Sequence, residues 1–357
     1  MLGFVFGAVA NRTNFCTMGA VSDVVYMGSW ARMRMWLFAI AVAILGTHAL
    51  QLAGIIDLSK SFYVRANVTW LSYILGGLLF GVGMTLASGC GSKTLVRLGG
   101  GSLKSLVVSI CLGLAAYMTL KGLFGIWRTR WIDPVATDFS SHGIARQDLP
   151  TLVAAWTGAS LASVEWILAL GIALALLAFV FKDREFRTSV DHVLGGAVVG
   201  LVVVGGWYLT GHLGYGENPD TLENTYFATN SHSIESLSFV APVAYLLELL
   251  LLWSDKSLGV TFGIAAACGV VAGSFAYAIV SRTFRWEGLS GTQDTASHLI
   301  GGLLMGFGGV TALGCTIGQG ITGFSTLAVG SILTFLAIVA GSAITMKVQY
   351  WRMMREP

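Results

Sequence analysis

The sequence predicts an all-α, polytopic transmembrane protein with two pseudo-symmetric repeats, broken or re-entrant helices and about nine to ten membrane segments. Three observations carry this. Apolar residues make up 55% of the chain and charged residues only 11%, with a mean hydropathy of +0.75, so the main solvent is lipid. Apolar runs of membrane-spanning length follow one another along the chain. Finally, GGLLFGVGMTLASGC at 76–90 returns 225 residues later as GGLLMGFGGVTALGC at 301–315, with no gap.

Each copy of this repeat reads as a glycine-rich helix that stops at a Gly-Cys pair, Gly89-Cys90 and Gly314-Cys315. Small polar residues follow: Gly91, Ser92, Lys93 and Thr94 in one, Thr316, Ile317, Gly318 and Gln319 in the other. A broken helix in hydrocarbon exposes backbone groups, which is tolerated only where protein or a water-filled cavity satisfies them. Paired breaks in two halves point to a transport site near the bilayer midplane. The simpler alternative is two ordinary helices packed through small residues, which explains the glycines but not a cysteine at both breaks.

With a span of about 20 residues, the expected segments are 36–56, 69–87, 103–125, 161–181, 190–210, 237–253, 258–280, 295–313 and 326–346. The opening run 2–10 is too short unless it continues through 11–18 as an interrupted helix. We expect one transport domain over 1–357, with repeat A at about 1–126, linking helices and loops at about 127–257, and repeat B at about 258–350. No basic n-region precedes the first apolar run, so no cleavable signal peptide is expected.

Loop charge sets orientation. The stretch 182–187 (KDREFR) carries three basic residues, whereas 211–236 has no Lys or Arg and carries Glu217, Asp220, Glu223 and Glu235. The first is therefore expected in the cytoplasm, with the tail bearing Lys347, Arg352 and Arg355, and the second outside. The polar stretch 127–160 is expected to be external too, anchored at the interface by Trp127, Trp131 and Trp156. A net charge of +3 without a basic run argues against nucleic acid.

In the N-terminal stretch, Arg12 stands four positions before Cys16 beside a probable break. Gly3-Phe-Val-Phe-Gly7 is echoed at 259–263, yet this register puts Ala272, and a shifted one Trp286, where Cys16 would fall. After the first long break, Lys93, Arg97 and Lys104 surround Gly99, Gly100 and Gly101. This reads either as a plain cytoplasmic loop or as a re-entrant helix whose cations concentrate an anion. Glu248 and Glu165 are ionisable residues at membrane depth, with Glu248 or a histidine (His48, His298) the candidate for ion coupling.

Five cysteines in apolar context do not form a disulfide framework. Cys111 and Cys268 sit in continuous apolar helices and read as small hydrophobes. Cys16, Cys90 and Cys315 are flanked by Gly or Thr at breaks, where a thiol can point into a cavity. A neutral thiol is a weak donor that hands an anion on without holding it tightly, whereas a thiolate would repel it. A thiol/disulfide relay is the rival reading. A three-thiolate metal site lacks CxxC or a nearby His, so no metal and no cofactor is expected.

The two long motifs, together with RTNFCTMGAVSD at 12–23, resemble the YeeE/YedE family of bacterial sulfur-transport membrane proteins. The resemblance implies an hourglass-shaped helical protein of the inner membrane that performs no catalysis and imports thiosulfate past three thiols, which map onto Cys16, Cys90 and Cys315. Arg12, Gly89, Gly91, Ser92, Lys93, Gly314, Thr316 and Gln319 are the expected supporting residues. Relatives handling other sulfur or selenium species keep that alternative open, and a small cytoplasmic sulfur carrier of the TusA type is the implied partner.

Overall fold

Fifteen α-helices run through the described residues, which in this computed structural model are 1–217, 224–289 and 291–355. The predicted loop acids Asp220 and Glu223 lie outside them. In order, the helices are α1 (Leu2–Arg12), α2 (Thr17–Ser22), α3 (Ala31–Leu52), α4 (Trp70–Leu86), α5 (Gly91–Gly99), α6 (Leu103–Leu120), α7 (Leu123–Trp127) and α8 (Leu149–Thr157). They continue as α9 (Leu161–Phe181), α10 (Arg184–Thr188), α11 (Val190–Tyr208), α12 (Ala241–Leu251), α13 (Phe262–Val280), α14 (Gly291–Thr311) and α15 (Val329–Met353). The chain is an all-α polytopic membrane protein: among the described residues, seven helical stretches are long and apolar enough to cross a bilayer. The expected segment 237–253 resolves into an extended lead and the 11-residue α12, while 295–313 overlaps α14 up to Thr311 and ends in the turn beyond it; the first turns of α14 carry Gln293, Asp294 and Ser297.

The centre is a crossing of α4 and α14, and glycine permits it. A Cβ on Gly76 would come within 2.6 Å of the Ala312 nitrogen, and one on Gly301 within 2.7 Å of the Ala87 nitrogen. Gly83 likewise meets the Gly301 carbonyl, and Gly308 the Gly76 carbonyl. The early part of α4 thus lies on the end of α14 and the end of α4 on the middle of α14, so the two run antiparallel. A larger side chain at any of these four positions would have to displace backbone. Outside this pair, α15 covers α4 and α6 covers α14, while α1 lies on α13 and α3 on α11. The least covered span is α9, whose Ile167 and Leu174 are exposed as lipid-facing residues would be.

One face gathers the long connections. There Asn67 and Val68 pair with Asp138 and Thr137, Ser61 bridges Ile234, and Arg65 bridges Arg146. Gln147 ties the face to the core, donating to the Tyr73 hydroxyl at 3.1 Å and accepting from the Gly330 N–H at 3.1 Å. We term it the loop face. The opposite face holds Asp183 ion-paired with Arg34, Asp191 with Arg12, and the Tyr26 hydroxyl donating to the Met346 carbonyl at 2.8 Å.

Candidate functional site

Three helix breaks share one backbone device. Asn14, Ser88 and Leu313 each adopt the left-handed conformation, with φ of 52°, 55° and 58°. Just beyond, the N–H groups of Phe15, Gly89 and Gly314 reach back to the carbonyls of Ala10, Met84 and Gly309. Those of Asn14, Ser88 and Leu313 bond Asn11, Thr85 and Val310. This pair of bonds is a Schellman ending, which satisfies the last carbonyls of a helix that stops short of water. The left-handed residue is not the glycine of the Gly-Cys pair but the one before it. For Leu313 that conformation costs about 1–2 kcal/mol.

The next residue in each break is the cysteine, and it starts the following half-helix. Cys16 caps α2, its Sγ accepting from the Gly19 N–H at 3.5 Å, and Cys90 caps α5. Cys315 precedes the helical stretch 316–326, its Sγ accepting from the Gly318 N–H at 3.4 Å. A fourth half-helix, α12, begins beside them, since the nearest neighbours of Gly91 include Phe239 and Val240 at its start. Helix N-termini carry partial positive charge, so four starts around one point favour an anion there.

Of the predicted site residues, the fold brings together Cys16, Cys90, Ser92, Lys93 and Thr316. The thiols of Cys16 and Cys90 are neighbours, Cys90 Sγ lies 3.3 Å from Ser92 Oγ, and Cys90 also approaches Thr316. Lys93 and Arg97 project from α5 toward the opposite face, bonding Asn14 Oδ1 at 3.2 Å and the Ser88 carbonyl at 2.7 Å. Gln319 bonds the Ala312 carbonyl at 2.7 Å, while its Oε1, like the Thr316 hydroxyl, is buried without a hydrogen-bond partner. Gly89 and Gly314 complete the two turns, and Gly91 is the first residue of α5. Arg12 stands apart: it is exposed and paired with Asp191 at 3.1 Å.

Ser238 is the residue that sequence reasoning missed. Its Oγ lies 3.9 Å from Cys315 Sγ, so it stands to Cys315 as Cys16 stands to Cys90. Beside it the Tyr63 hydroxyl is buried and unpaired, and burial pushes that phenol well up, keeping it a donor. The two registers that put Ala272 or Trp286 opposite Cys16 find them exposed, Ala272 on α13 and Trp286 beyond its end. A signal did exist in Ser236-Leu-Ser238 followed by Pro242, small polar residues leading into a helix start.

Two cavities approach the thiols from either side. One, of about 470 Å³, opens on the loop face and ends at Ser238 and Gly314. The other, of about 500 Å³, lies on the opposite face and reaches Ser88, two residues before Cys90. Between them Cys90 and Cys315 are fully buried, so the waist is closed. All five cysteines are free thiols. Glu248, weighed for ion coupling, is held by Lys121 at 2.6 Å, and Glu165 by His48 at 3.1 Å.

A family model described as sulphur transport matches residues 12–344. The chain belongs to the sulphur transport family. Within this family it is 29% identical to the thiosulfate transporter TsuA of Spirochaeta thermophila, over 96% of this chain and 95% of that protein. It is 25% identical to the thiosulfate transporter TsuA of Escherichia coli, over 89% of this chain and 84% of that protein. As a sulphur transport protein it shares the aligned length of both relatives nearly end to end.

Proposed function

We propose that this protein imports thiosulfate, or a closely related sulfur-containing dianion, across the bacterial inner membrane. The anion passes from the loop-face cavity to the opposite one through the waist formed by Cys315, Cys90 and Cys16. The observation that carries this reading is the meeting of half-helix starts at three thiols, with a cavity on each side. Helix starts and neutral S–H, O–H and N–H donors attract a dianion without adding a fixed charge that would trap it, as conduction requires. The thiols act as donors and form no covalent bond to the substrate.

The buried, unpaired hydroxyl of Thr316 and Oε1 of Gln319 mark where the waist gives on passage. The stretch 318–323 is π-helical and holds Gly318, Gly320 and Gly323, so a small shift there is the least expensive way to open it. We take the two antiparallel glycine motifs as inverted halves, which lets one half rock against the other. The opposite face, with Lys93 and Arg97, faces the cytoplasm. A small cytoplasmic sulfur carrier of the TusA type is the partner we assign there, in line with the family resemblance.

Moving a dianion into an inside-negative cell costs roughly 4.6 kcal/mol per 100 mV. Rapid consumption of the anion inside, or a cation that accompanies it, must offset this. Uptake of labelled thiosulfate by vesicles containing the purified protein tests the proposal, with sulfate, sulfite and selenium analogues as competitors. Saturable uptake that thiosulfate itself competes best supports it; no uptake above empty vesicles refutes it.

A further inference from the structure

The loop-face cavity has a single carboxyl group among the described residues that line it, Glu235. Glu235 stands three residues before Ser238, whose hydroxyl faces Cys315, and Glu235, Ser236 and Ser238 all line the cavity. The Ser231 hydroxyl donates to its Oε2 at 3.1 Å. Neither cation of the cavity forms an ion pair with it among the described residues: Arg128 is held by Asp133 at 3.1 Å, and Arg65 is turned to solvent.

We propose that Glu235 is a proton-binding site linked to anion capture, so that the cavity accepts a sulfur-containing dianion together with one proton. The proton passes from outside water onto the Glu235 carboxylate; no other bond is made or broken. This rests on reading the chain as an importer. An ionised Glu235 adds a negative charge to the wall that a dianion must approach. Once protonated, it removes that repulsion and offers an O–H donor within the same cavity as Ser238.

The neighbours leave Glu235 as the group that titrates. Facing it are Arg65 from the 61–69 connection, Arg128 after α7, Tyr73 of α4 and Tyr245 of α12, with Tyr63 close by. Arginine and tyrosine side chains as a class keep one charge state between about pH 6 and about pH 8. The cavity residues of α13 and α14, Gly263, Gly309 and Val310, and those of the break after α14, Leu313 and Gly314, have no titratable side chain. His232 is on the same loop but exposed and not part of the lining. Burial pushes the Glu235 carboxyl up to about 7, and the Ser231 bond pulls it partly back. Because linkage is reciprocal, acid outside tightens anion binding and the bound anion tightens the proton.

The test is labelled thiosulfate uptake by vesicles, with the outside pH varied and the inside held fixed. In the wild type the half-saturating concentration rises about tenfold from about pH 6 to about pH 8, following the loss of the protonated carboxyl. Glu235→Gln makes it independent of pH. Ser231→Ala, which removes the bond favouring the ionised form, moves the inflection to higher pH and serves if the glutamine variant fails to fold. In detergent at about pH 8, a pH dye records close to one proton taken up per thiosulfate bound in the wild type, and none in Glu235→Gln. A wild type whose half-saturation ignores pH, or a Glu235→Gln that keeps the slope, overturns the proposal and leaves the importer reading standing. Failure of labelled thiosulfate to enter wild-type vesicles at any pH overturns both.

Discussion

At the Cys90 break the thiol meets a second thiol, Cys16, and the half-helix behind it carries Lys93 and Arg97. At the Cys315 break the same position meets the Ser238 hydroxyl, and the half-helix that follows, 316–326, carries no charge. The backbone device is shared, down to the left-handed residues Ser88 and Leu313 at equivalent places. The chemistry hung on it differs. One end of the waist is a thiol pair backed by cations, the other a thiol-hydroxyl pair open to a cavity that holds Glu235. On the proposed reading, repetition of the backbone sets where an anion passes, and the side chains on each half set the charges and donors it meets there.

The comparison breaks most readily at the thiols themselves. Cys90→Ala and Cys315→Ala are each expected to lower the initial rate of labelled thiosulfate uptake by more than about a hundredfold, equivalent to roughly 3 kcal/mol. Cys111→Ala, half-buried on α6 against Gly302 and away from the breaks, keeps the wild-type rate. Equal loss in all three would show that the buried thiols have no special part. Next in size, Lys93→Gln should slow uptake about tenfold and flatten its dependence on ionic strength. No cation stands on 316–326, so the Cys315 side offers no equivalent change.

A third, smaller effect sharpens the likeness of the two pairs. Ser238→Ala removes a donor beside Cys315 and is expected to slow uptake about three- to tenfold, whereas Ser238→Cys copies the Cys16–Cys90 arrangement and retains most of the rate. A serine-to-alanine variant as fast as the wild type would separate Ser238 from the path. A separate effect concerns stability rather than uptake. Glu235 has its folded value raised from 4.5 to about 7, so its contribution is fully present below about pH 4.5 and is lost as pH rises through about 7. Thermal melts in detergent should thus find Glu235→Gln more stable than the wild type at pH 8, by up to about 3 kcal/mol, and equal to it at pH 4.

Much of this architecture was legible in the chain because glycine serves two purposes that leave the same mark. Gly76, Gly83, Gly301 and Gly308 allow α4 and α14 to touch, and their fixed spacing exposes the repeat. The break was legible too, but its left-handed residue was not: Ser88 and Leu313 take a conformation that tertiary context imposes, while Gly89 and Gly314 attract attention beside them. Ser238 escaped because its half-helix falls outside the gapless repeat and because apolarity cannot distinguish the extended lead 236–240 from the helix it joins. Glu248 drew notice by its depth, yet Lys121 holds it; Glu235 read as one more loop acid, since burial of a loop is decided by what folds over it.

The claim beneath all of this is that intact thiols hand the anion through the waist. Mass-tag counting of free thiols while vesicles take up labelled thiosulfate addresses it directly. Five free thiols are expected before, during and after steady uptake. Loss of two thiols in step with turnover, restored when substrate is exhausted, would contradict it and make the cysteines a redox pair.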